Sequence, residues 1–569
     1  MRNVLAGPVA EVLKGALARL GVEDVAVEEL LEVPPKPGMG DYAFPCFQLA
    51  KALRRAPAAI AADVAGAVGD APGIERVEAV GAYVNFFLDR GEACRRAVEA
   101  ILAEGEAYGR SRAGAGRRVV IDFSSPNIAK PFHVGHLRST MIGNSLAHIF
   151  ESQGYEVVRL NYLGDWGTQF GKLIVAYRRW GRERDLEQEP IKALLDLYVT
   201  FHREAEEDPG LEDEARAAFR ALEEGAPEET ALWRRFRDLS LREFEKHYAR
   251  LGVRFDVYSG ESAYNEKVQR TLAELRERGL VTESEGALVV ELEGLPPCLI
   301  QKKDGATLYA TRDISAALDR YEQYAFSHLL YVVGTPQQLH FKQVFGVLRR
   351  MGVDWVDRLE HIAFGQVRIG DEQLSTRKGN VVFLEDLLDQ AVERARRIIE
   401  ERNPGLEEKE AVAEVVGVGA VVFSDLFHNR IKDIAFDWES VLSFEGDTGP
   451  YVQYTHARTA SLLRKAEHEH GLRPPFAPVA GDLNDEESFQ LAKRLAEYPD
   501  VLAQAVEDRE PSEIARYLIQ VCHDFNTFYH AHRILGTAEQ SSRLALVAAV
   551  KQVLASGLRL LGVKAPEAM

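Results

Sequence analysis

One stretch of the sequence, residues 121–139, constrains the fold most, because it predicts a strand, a polar loop and a helix in immediate succession. Before it and into its first residues, Arg117 to Phe123 is a basic start followed by a β-branched apolar run, the pattern of a β-strand. At its far end, Leu137 to Gln153 has apolar residues at helical spacing. The loop between them contains two prolines, a lysine, and two histidines around a glycine. A strand, a turn and a helix N-terminus in this order commonly bind an anion.

Length and composition bound the class of protein. A chain of 569 residues is long enough for three or four domains. It has no apolar run of about 18 residues, so we expect no membrane partner. Its four cysteines are far apart and form no CxxC motif, which predicts neither a zinc site nor disulfides and favours the cytoplasm. A net charge of −19 argues against a general nucleic-acid coat protein but leaves a local basic surface open.

The pattern of elements predicts an α/β fold with three parts. Residues 1–110 read as a small N-terminal α/β domain, with helices near 5–20 and 44–68 and a strand pair at 74–79 and 82–88. A glycine-rich linker follows.

Residues 117–385 read as a Rossmann-like domain of two βαβ halves, interrupted by a largely helical insertion at about 172–300. Within it, Thr307 to Thr311 has the composition of a strand. Residues 386–569 are predicted to form an all-α helical bundle.

Two loops could hold the phosphates of a nucleotide. His133 and His136 lie on one face of a first helical turn, and Gly135 between them lets a ligand approach the backbone. A pair of capping histidines is the alternative. Lys130 adds positive charge nearby. The second loop offers hydroxyls and cations, although a solvated charge cluster is the alternative there; its residues are Ser375, Thr376, Arg377 and Lys378. One such loop from each half favours nucleotidyl transfer.

Three acids could line a pocket for a cation. Asp122 ends the first strand of the Rossmann-like domain, Glu261 follows a possible turn, and Asp313 leads into a helix. Two carboxylates facing a guanidinium would form bidentate, charge-assisted hydrogen bonds. Helix capping or internal salt bridges are the alternative for each of them.

Assembled, these residues make the chain resemble the arginyl-tRNA synthetases of bacterial type, a family of class I aminoacyl-tRNA synthetases. The resemblance covers essentially the whole chain. Its most specific part is Phe123 to Thr140, which resembles the family's form of the HIGH motif. Four further segments are similar to the family: Leu163 to Gly171, Leu308 to Ala316, Val332 to Phe345 and Ser424 to Glu439.

The resemblance implies a division of labour within the site. His133, Gly135 and His136 would bind ATP, which would arrive with Mg²⁺ but without a dedicated protein site for the metal. The remaining matches concern arginine: Asn127, Tyr309 and Gln337 would bind the amino-acid end, and Asp313 and Glu261, with Asp122 as a further acid, the guanidinium. The implied reaction forms arginyl-adenylate and transfers arginine to tRNA(Arg).

The resemblance also assigns the outer parts of the chain. Residues 1–110 would contact the elbow of the tRNA. The C-terminal bundle would bind the anticodon, with aromatic residues of Tyr451 to Arg458 and Phe525 to Tyr529 stacking on bases unless they belong to the core. The protein is expected to be a monomer.

The sequence departs from the class in its second signature. The loop Gln373 to Arg377 lacks both lysines of KMSKS, and Lys130 is the candidate that compensates for them. This departure leaves a non-catalytic tRNA-binding paralogue as one alternative. A synthetase for another amino acid is a second, although the acids at 261 and 313 favour arginine because an apolar substrate would not offset the cost of burying them.

Overall fold

The computed structural model describes residues 3–36, 38–303, 305, 307–369, 372–373 and 383–569. Within these residues, no helix combines the length and the apolar character that crossing a membrane requires. All four cysteines are buried, and none forms a disulfide.

The N-terminal part is a small sheet covered by helices. Strands β1, β2 and β3 form an antiparallel sheet in the order β1-β3-β2, as expected for the strand pair. The single helix expected near 44–68 is wrong, because its first residues form β1 and Pro57 begins a separate helix. The elements are α1 Ala6–Arg19, α2 Val27–Leu30, β1 Tyr42–Pro45, α3 Ala50–Leu53, α4 Pro57–Ala67, β2 Ile74–Val80, β3 Tyr83–Leu88 and α5 Arg90–Glu104.

A five-stranded parallel sheet forms the centre of the molecule. Its strand order is β11-β10-β4-β5-β6, so the chain moves outward from β4 in one half and from β10 in the other. The carboxyl ends of β4 and β10 therefore flank a crevice of the kind in which α/β folds bind ligands. The elements are β4 Arg118–Asp122, α6 Val134–Ser152, β5 Glu156–Leu163, β6 Val257–Gly260, α13 Tyr309–Tyr324, β10 His328–Gly334, α14 Gln338–Arg350 and β11 Leu359–Phe364.

The stretch predicted as an insertion is largely helical, but it contains a strand that the sequence analysis did not predict. That strand, β6, pairs with β5 at the edge of the central sheet. A separate antiparallel sheet follows it. The elements are α7 Thr168–Trp180, α8 Glu183–Gln188, α9 Pro190–Glu207, α10 Gly210–Glu223, α11 Pro227–Leu251, α12 Asn265–Glu277, β7 Thr282–Ser284, β8 Ala287–Val290 and β9 Cys298–Gln301.

The strand expected over Thr307 to Thr311 is wrong. Helix α13 begins at Tyr309, directly after the extended residue Leu308. Ala310, Thr311 and Ile314 are all buried, so the apolar face of the helix already begins in its first turn. A short β-branched segment cannot be told from a helix start by composition alone.

The C-terminal part is helical, as predicted. A small sheet, β13-β12-β14, joins it to the segment that follows β11. The elements are β12 Val367–Ile369, β13 Glu372–Gln373, α15 Leu384–Arg402, α16 Lys409–Phe427, β14 Ile434–Phe436, α17 Trp438–Val441, α18 Gly449–His470, α19 Glu486–Ala496, α20 Tyr498–Asp508, α21 Ser512–Ala531 and α22 Gln540–Leu560.

Candidate active site

The loop between β4 and α6 has a strained backbone that its surroundings fix. Ser124, Ser125 and Ala129 have φ angles of 69°, 45° and 60°, in the left-handed region that side chains disfavour. The hydroxyl of Ser139 accepts a hydrogen bond from the Ser124 N–H at 2.9 Å, and that of Ser240 accepts one from the Ala129 N–H at 3.1 Å. The loop is thus held in shape by the protein itself.

The two histidines of this loop cap helix α6. His133 Nδ1 accepts a hydrogen bond from the Gly135 N–H at 3.0 Å, and His136 Nδ1 accepts one from the His133 N–H at 3.1 Å. A neutral imidazole carries its proton on one nitrogen, so two accepting Nδ1 atoms leave the proton on Nε2 in each ring. The two rings lie 3.9 Å apart. Capping therefore sets both rings up as Nε2–H donors.

Both histidines are neutral at physiological pH. Burial, with a smaller contribution from Lys130, lowers the pKa of His133 to about 4. Burial also lowers the pKa of His136 well below its ordinary value, with His133 and Lys130 adding to the effect. A phosphate at this position would meet two hydrogen-bond donors and the positive end of a helix.

A cleft of about 290 Å³ opens beside these histidines. It lies between the first turn of α6 and the carboxyl ends of β10 and β11. Gly135 is exposed, and a Cβ atom there would lie 2.8 Å from the ring of His133. A larger groove, about 1000 Å³, lies between the N-terminal sheet and α19 and contains none of the predicted site residues. The residues lining the cleft are His133, Gly135, Arg138, Gly334, Pro336, Gln337, Phe364, Gly365, Gln366 and Val367.

Several residues of this cleft were not predicted from the sequence. Phe364 and Gly334 end β11 and β10, where a parallel sheet exposes its carboxyl edge. That position was the available signal, because both strands were predicted. Gln337, assigned to the amino acid by resemblance, lies on the same wall.

The carboxylates of Glu261 and Asp313 are close enough to interact electrostatically. Burial raises the pKa of Glu261 to about 8; Arg312 opposes this shift, while Asp313 and Asp165 add to it. The Asp313 carboxylate lies within hydrogen-bond distance of His340 Nε2, at 2.6 Å. Glu261 is therefore mainly in its neutral, protonated form at pH 7.

Asp165, which the sequence analysis did not single out, supports this group. It is fully buried and accepts hydrogen bonds from the Ser262 N–H at 2.9 Å and the Ser262 hydroxyl at 2.8 Å. A Cβ atom on Gly260 would lie 2.4 Å from the Asp165 carboxylate, so a glycine is required at that close approach. Asp165 therefore fixes the segment that carries Glu261.

Asp122 does not face the open site. Its carboxylate is 5% exposed and pairs with the guanidinium of Arg320 at 2.9 Å. The second oxygen accepts a hydrogen bond from the Ser125 hydroxyl at 3.0 Å. For Asp122 the structure shows the salt-bridge alternative: its partner is the internal guanidinium of Arg320.

The remaining predicted residues lie at different places. Asn127 is exposed and adjoins Gly164, while Tyr309 is 62% exposed at the start of α13. Lys130 is half-buried in the loop before α6. Ser375, Thr376, Arg377 and Lys378 lie outside the described residues.

The aromatic residues expected to stack on bases divide into two groups. Phe525 and Phe528 are fully buried in the helical core. Arg458 lies over the rings of Tyr454 and Tyr529, at 5.0 Å and 5.1 Å from their centroids, in a groove of about 420 Å³. The core alternative thus holds for the phenylalanines, and the tyrosines line a surface.

Comparison with known proteins accounts for this combination of parts. Residues 97–438 match the model of the class I (R) tRNA synthetase catalytic domain, and 8–88 that of the arginyl-tRNA synthetase N-terminal domain. The chain belongs to the arginyl-tRNA synthetase family. Residues 452–569 match the model of the DALR anticodon-binding domain. The resemblance read from the sequence is confirmed.

Relatives span the whole chain. A curated arginine–tRNA ligase of Clostridium beijerinckii is 51% identical over 566 residues, covering 99% of both chains. One from Alkaliphilus metalliredigens is 49% identical over 565 residues, again covering 99% of both. The structure of the Thermus thermophilus arginyl-tRNA synthetase is 29% identical with a TM-score of 0.80 and covers 99% of both chains.

Proposed function

We propose that the protein attaches L-arginine to tRNA(Arg) at the expense of ATP, through an arginyl-adenylate and with release of pyrophosphate and AMP. The observation that carries this proposal is a cleft beside two histidines that are preset as donors, together with the interacting carboxylates of Glu261 and Asp313, in a chain that belongs to the arginyl-tRNA synthetase family throughout its length.

In the first step, the arginine carboxylate attacks the α-phosphorus of ATP and pyrophosphate leaves. Negative charge spreads over the phosphoryl oxygens in the transition state, so donors aimed there accelerate the reaction. The Nε2–H groups of His133 and His136 supply these donors, and Lys130 supplies the positive charge. Since both rings are neutral, they donate hydrogen bonds without giving up a proton.

The carboxylates of Asp313 and Glu261 select arginine. Asp313 and Glu261 bind the guanidinium, while Tyr309, Gln337 and Asn127 bind the remainder of the amino acid. Glu261 is largely protonated before arginine binds. When the guanidinium binds, Glu261 loses its proton and becomes a carboxylate partner for the cation. A neutral or apolar side chain would leave these buried acids without a counter-charge.

Magnesium would enter with the phosphates of ATP, as this ion commonly does. Among the described residues, one group of three side chains has spacing suited to a metal, Asp485, Glu487 and His532, and it lies in the helical part, away from the cleft. In the second step, tRNA(Arg) would bind along the helical part, with Tyr454, Arg458 and Tyr529 near the anticodon and the N-terminal part at the elbow. We further propose a cytoplasmic monomer.

Arginine-dependent exchange between ATP and pyrophosphate, followed by charging of tRNA(Arg), tests this function. Among the amino acids, we expect only arginine to support exchange. The rates of exchange and of tRNA charging should both increase with enzyme concentration. A chain that binds tRNA(Arg) but shows no exchange, with or without tRNA, would be a non-catalytic paralogue. Exchange with a different amino acid would refute the assignment of Asp313 and Glu261 to the arginine guanidinium.

A further inference from the structure

A buried ion pair joins the two segments that carry the proposed arginine-binding residues. Arg320, on α13, is 1% exposed, and its Nη1 lies 2.9 Å from the Asp122 carboxylate at the end of β4. Asp122 is itself buried. The pair therefore connects α13 directly to the strand that leads into the loop carrying Asn127.

Arg320 is buried, so its charge has lost the hydration that it would have in water. Its guanidinium lies between the rings of Tyr162 and Tyr331, at 5.0 Å and 5.5 Å from their centroids. Its Nε and Nη2 atoms make no hydrogen bond within the part of the chain that the structure describes. Apolar side chains of similar volume often replace such a pair without loss of stability, so the pair needs a reason other than stability.

Asp122 also contacts the loop with the strained backbone. The Ser125 hydroxyl donates a hydrogen bond to Asp122 at 3.0 Å, and Ser124 and Ser125 both have positive φ angles. A backbone of this kind persists only where the surrounding contacts impose it. Asn127 follows two residues later, with its backbone against Gly164, where a Cβ atom would lie 2.3 Å from the Asn127 amide oxygen.

Helix α13 carries the other half of the arrangement. Tyr309 and Asp313 lie in its first two turns, and Arg320 is seven residues beyond Asp313, which places the two on one face of the helix. The ion pair thus fixes the separation between the helix bearing Asp313 and the loop bearing Asn127.

We propose that Arg320 is a positioning residue for arginine recognition. It holds the Asp122–Ser125 turn and α13 at the spacing that lets Asn127 and Asp313 contact the two ends of one arginine. The inference rests on the proposed function. Arg320 also occupies Asp122 as an internal counter-ion, whereas Asp313 and Glu261 have no arginine bonded to them in this way among the described residues.

The nucleotide side of the loop has its own anchors. The histidine cap, the bond from Ala129 to Ser240 and the bond from Ser124 to Ser139 do not involve Arg320. Loosening the ion pair should therefore disturb arginine binding and leave ATP binding nearly intact.

The test is pyrophosphate exchange with the full-length enzyme, in which KM is measured separately for arginine and ATP. R320K keeps the charge but loses the planar fork, and we expect the KM for arginine to rise about tenfold or more, with the KM for ATP within about twofold. S125A removes the hydrogen bond from Ser125 to Asp122 while it leaves the Arg320–Asp122 pair in place, and it should raise the KM for arginine about threefold. R358K, beside the Tyr321 ring of α13 but bonded to the Phe326 carbonyl, is the control and should match wild type.

The outcomes separate the inference from the function on which it rests. Wild-type enzyme that shows no arginine-dependent exchange, with or without tRNA(Arg), would refute the proposed function. Active wild-type enzyme with an unchanged KM for arginine in both folded variants would overturn the role of Arg320, as would equal rises in both KM values. Should R320K not fold, S125A decides alone: a selective rise in the KM for arginine supports the proposal, and no rise overturns it.

Discussion

The histidine side and the acid side of the site hold their polar groups in opposite ways. His133 and His136 are neutral, accept hydrogen bonds from backbone N–H groups of the first turn of α6, and lie within four residues of chain. Asp165, Glu261 and Asp313 come from three distant segments. Burial raises the pKa of Glu261 to about 8. Local hydrogen bonds thus prepare a donor site for a polyphosphate at little cost, whereas an acceptor site for a cation needs tertiary folding and crowds carboxylates together.

The largest expected effect breaks the histidine side without breaking its helix. Serine caps helices well, so H133S should keep the start of α6 while it removes one Nε2–H donor. We expect the kcat of pyrophosphate exchange to fall about 10²- to 10³-fold, as for the loss of one transition-state donor. The unfolding temperature Tm of H133S should fall by only a few degrees. The control is H468S, on the exposed end of α18, whose Tm should change by about as much. A kcat near wild type would show that His133 is a cap alone.

On the acid side, D313N replaces a charged partner of the guanidinium by a neutral one. We expect the KM for arginine to rise about 100-fold, because a charge-assisted hydrogen bond to the guanidinium is lost. The KM for ATP should stay within about twofold, because the histidine side is unchanged. D319N changes the same helix at an acid that pairs with Lys267, and it should behave like wild type. Equal rises for both substrates in D313N would contradict the division into two sides.

The two sides should also differ in their response to pH. Glu261 must lose its proton to pair with arginine, so affinity for arginine should increase by up to about tenfold per pH unit from pH 6 to 8 and then level off. E261Q should bind weakly and without this slope, as measured by equilibrium binding. ATP binding should show no step assignable to His133, whose pKa of about 4 lies outside this range. A slope that E261Q retains would point to another group.

The smallest effect concerns stability. The pKa of Glu261 in the folded protein lies above its ordinary value of 4.5, so stability contributed by the protonated acid is lost as pH rises through about 8. At pH 8.5, E261Q should therefore be more stable than wild type, by about 1–3 kcal/mol, and the difference should shrink toward pH 5. Denaturant unfolding at both pH values measures this. E261Q less stable than wild type at pH 8.5 would mean that Glu261 carries no electrostatic cost.

What the sequence predicted follows the same division. The helix start at His133 is readable because its contacts span a few residues, and the strands around it have clear apolar runs. The partnership of Asp122 with Arg320 joins residues about 200 positions apart, and β6 is recognisable only once β5 offers it an edge. Thr307 to Thr311 misled because composition cannot separate a short strand from a helix start. Side-chain patterns therefore reveal local chemistry, and the pairing of distant charges requires the fold.

Proton release on binding arginine tests the account most directly. Calorimetric titration at pH 7 in buffers of different ionisation enthalpy measures the number of protons exchanged. With a pKa of about 8, Glu261 is mostly protonated at pH 7, so wild-type enzyme should release close to one proton per arginine bound, and E261Q close to none. Wild-type enzyme that binds arginine without releasing a proton would contradict the proposal that a buried, neutral Glu261 becomes the carboxylate partner of the substrate.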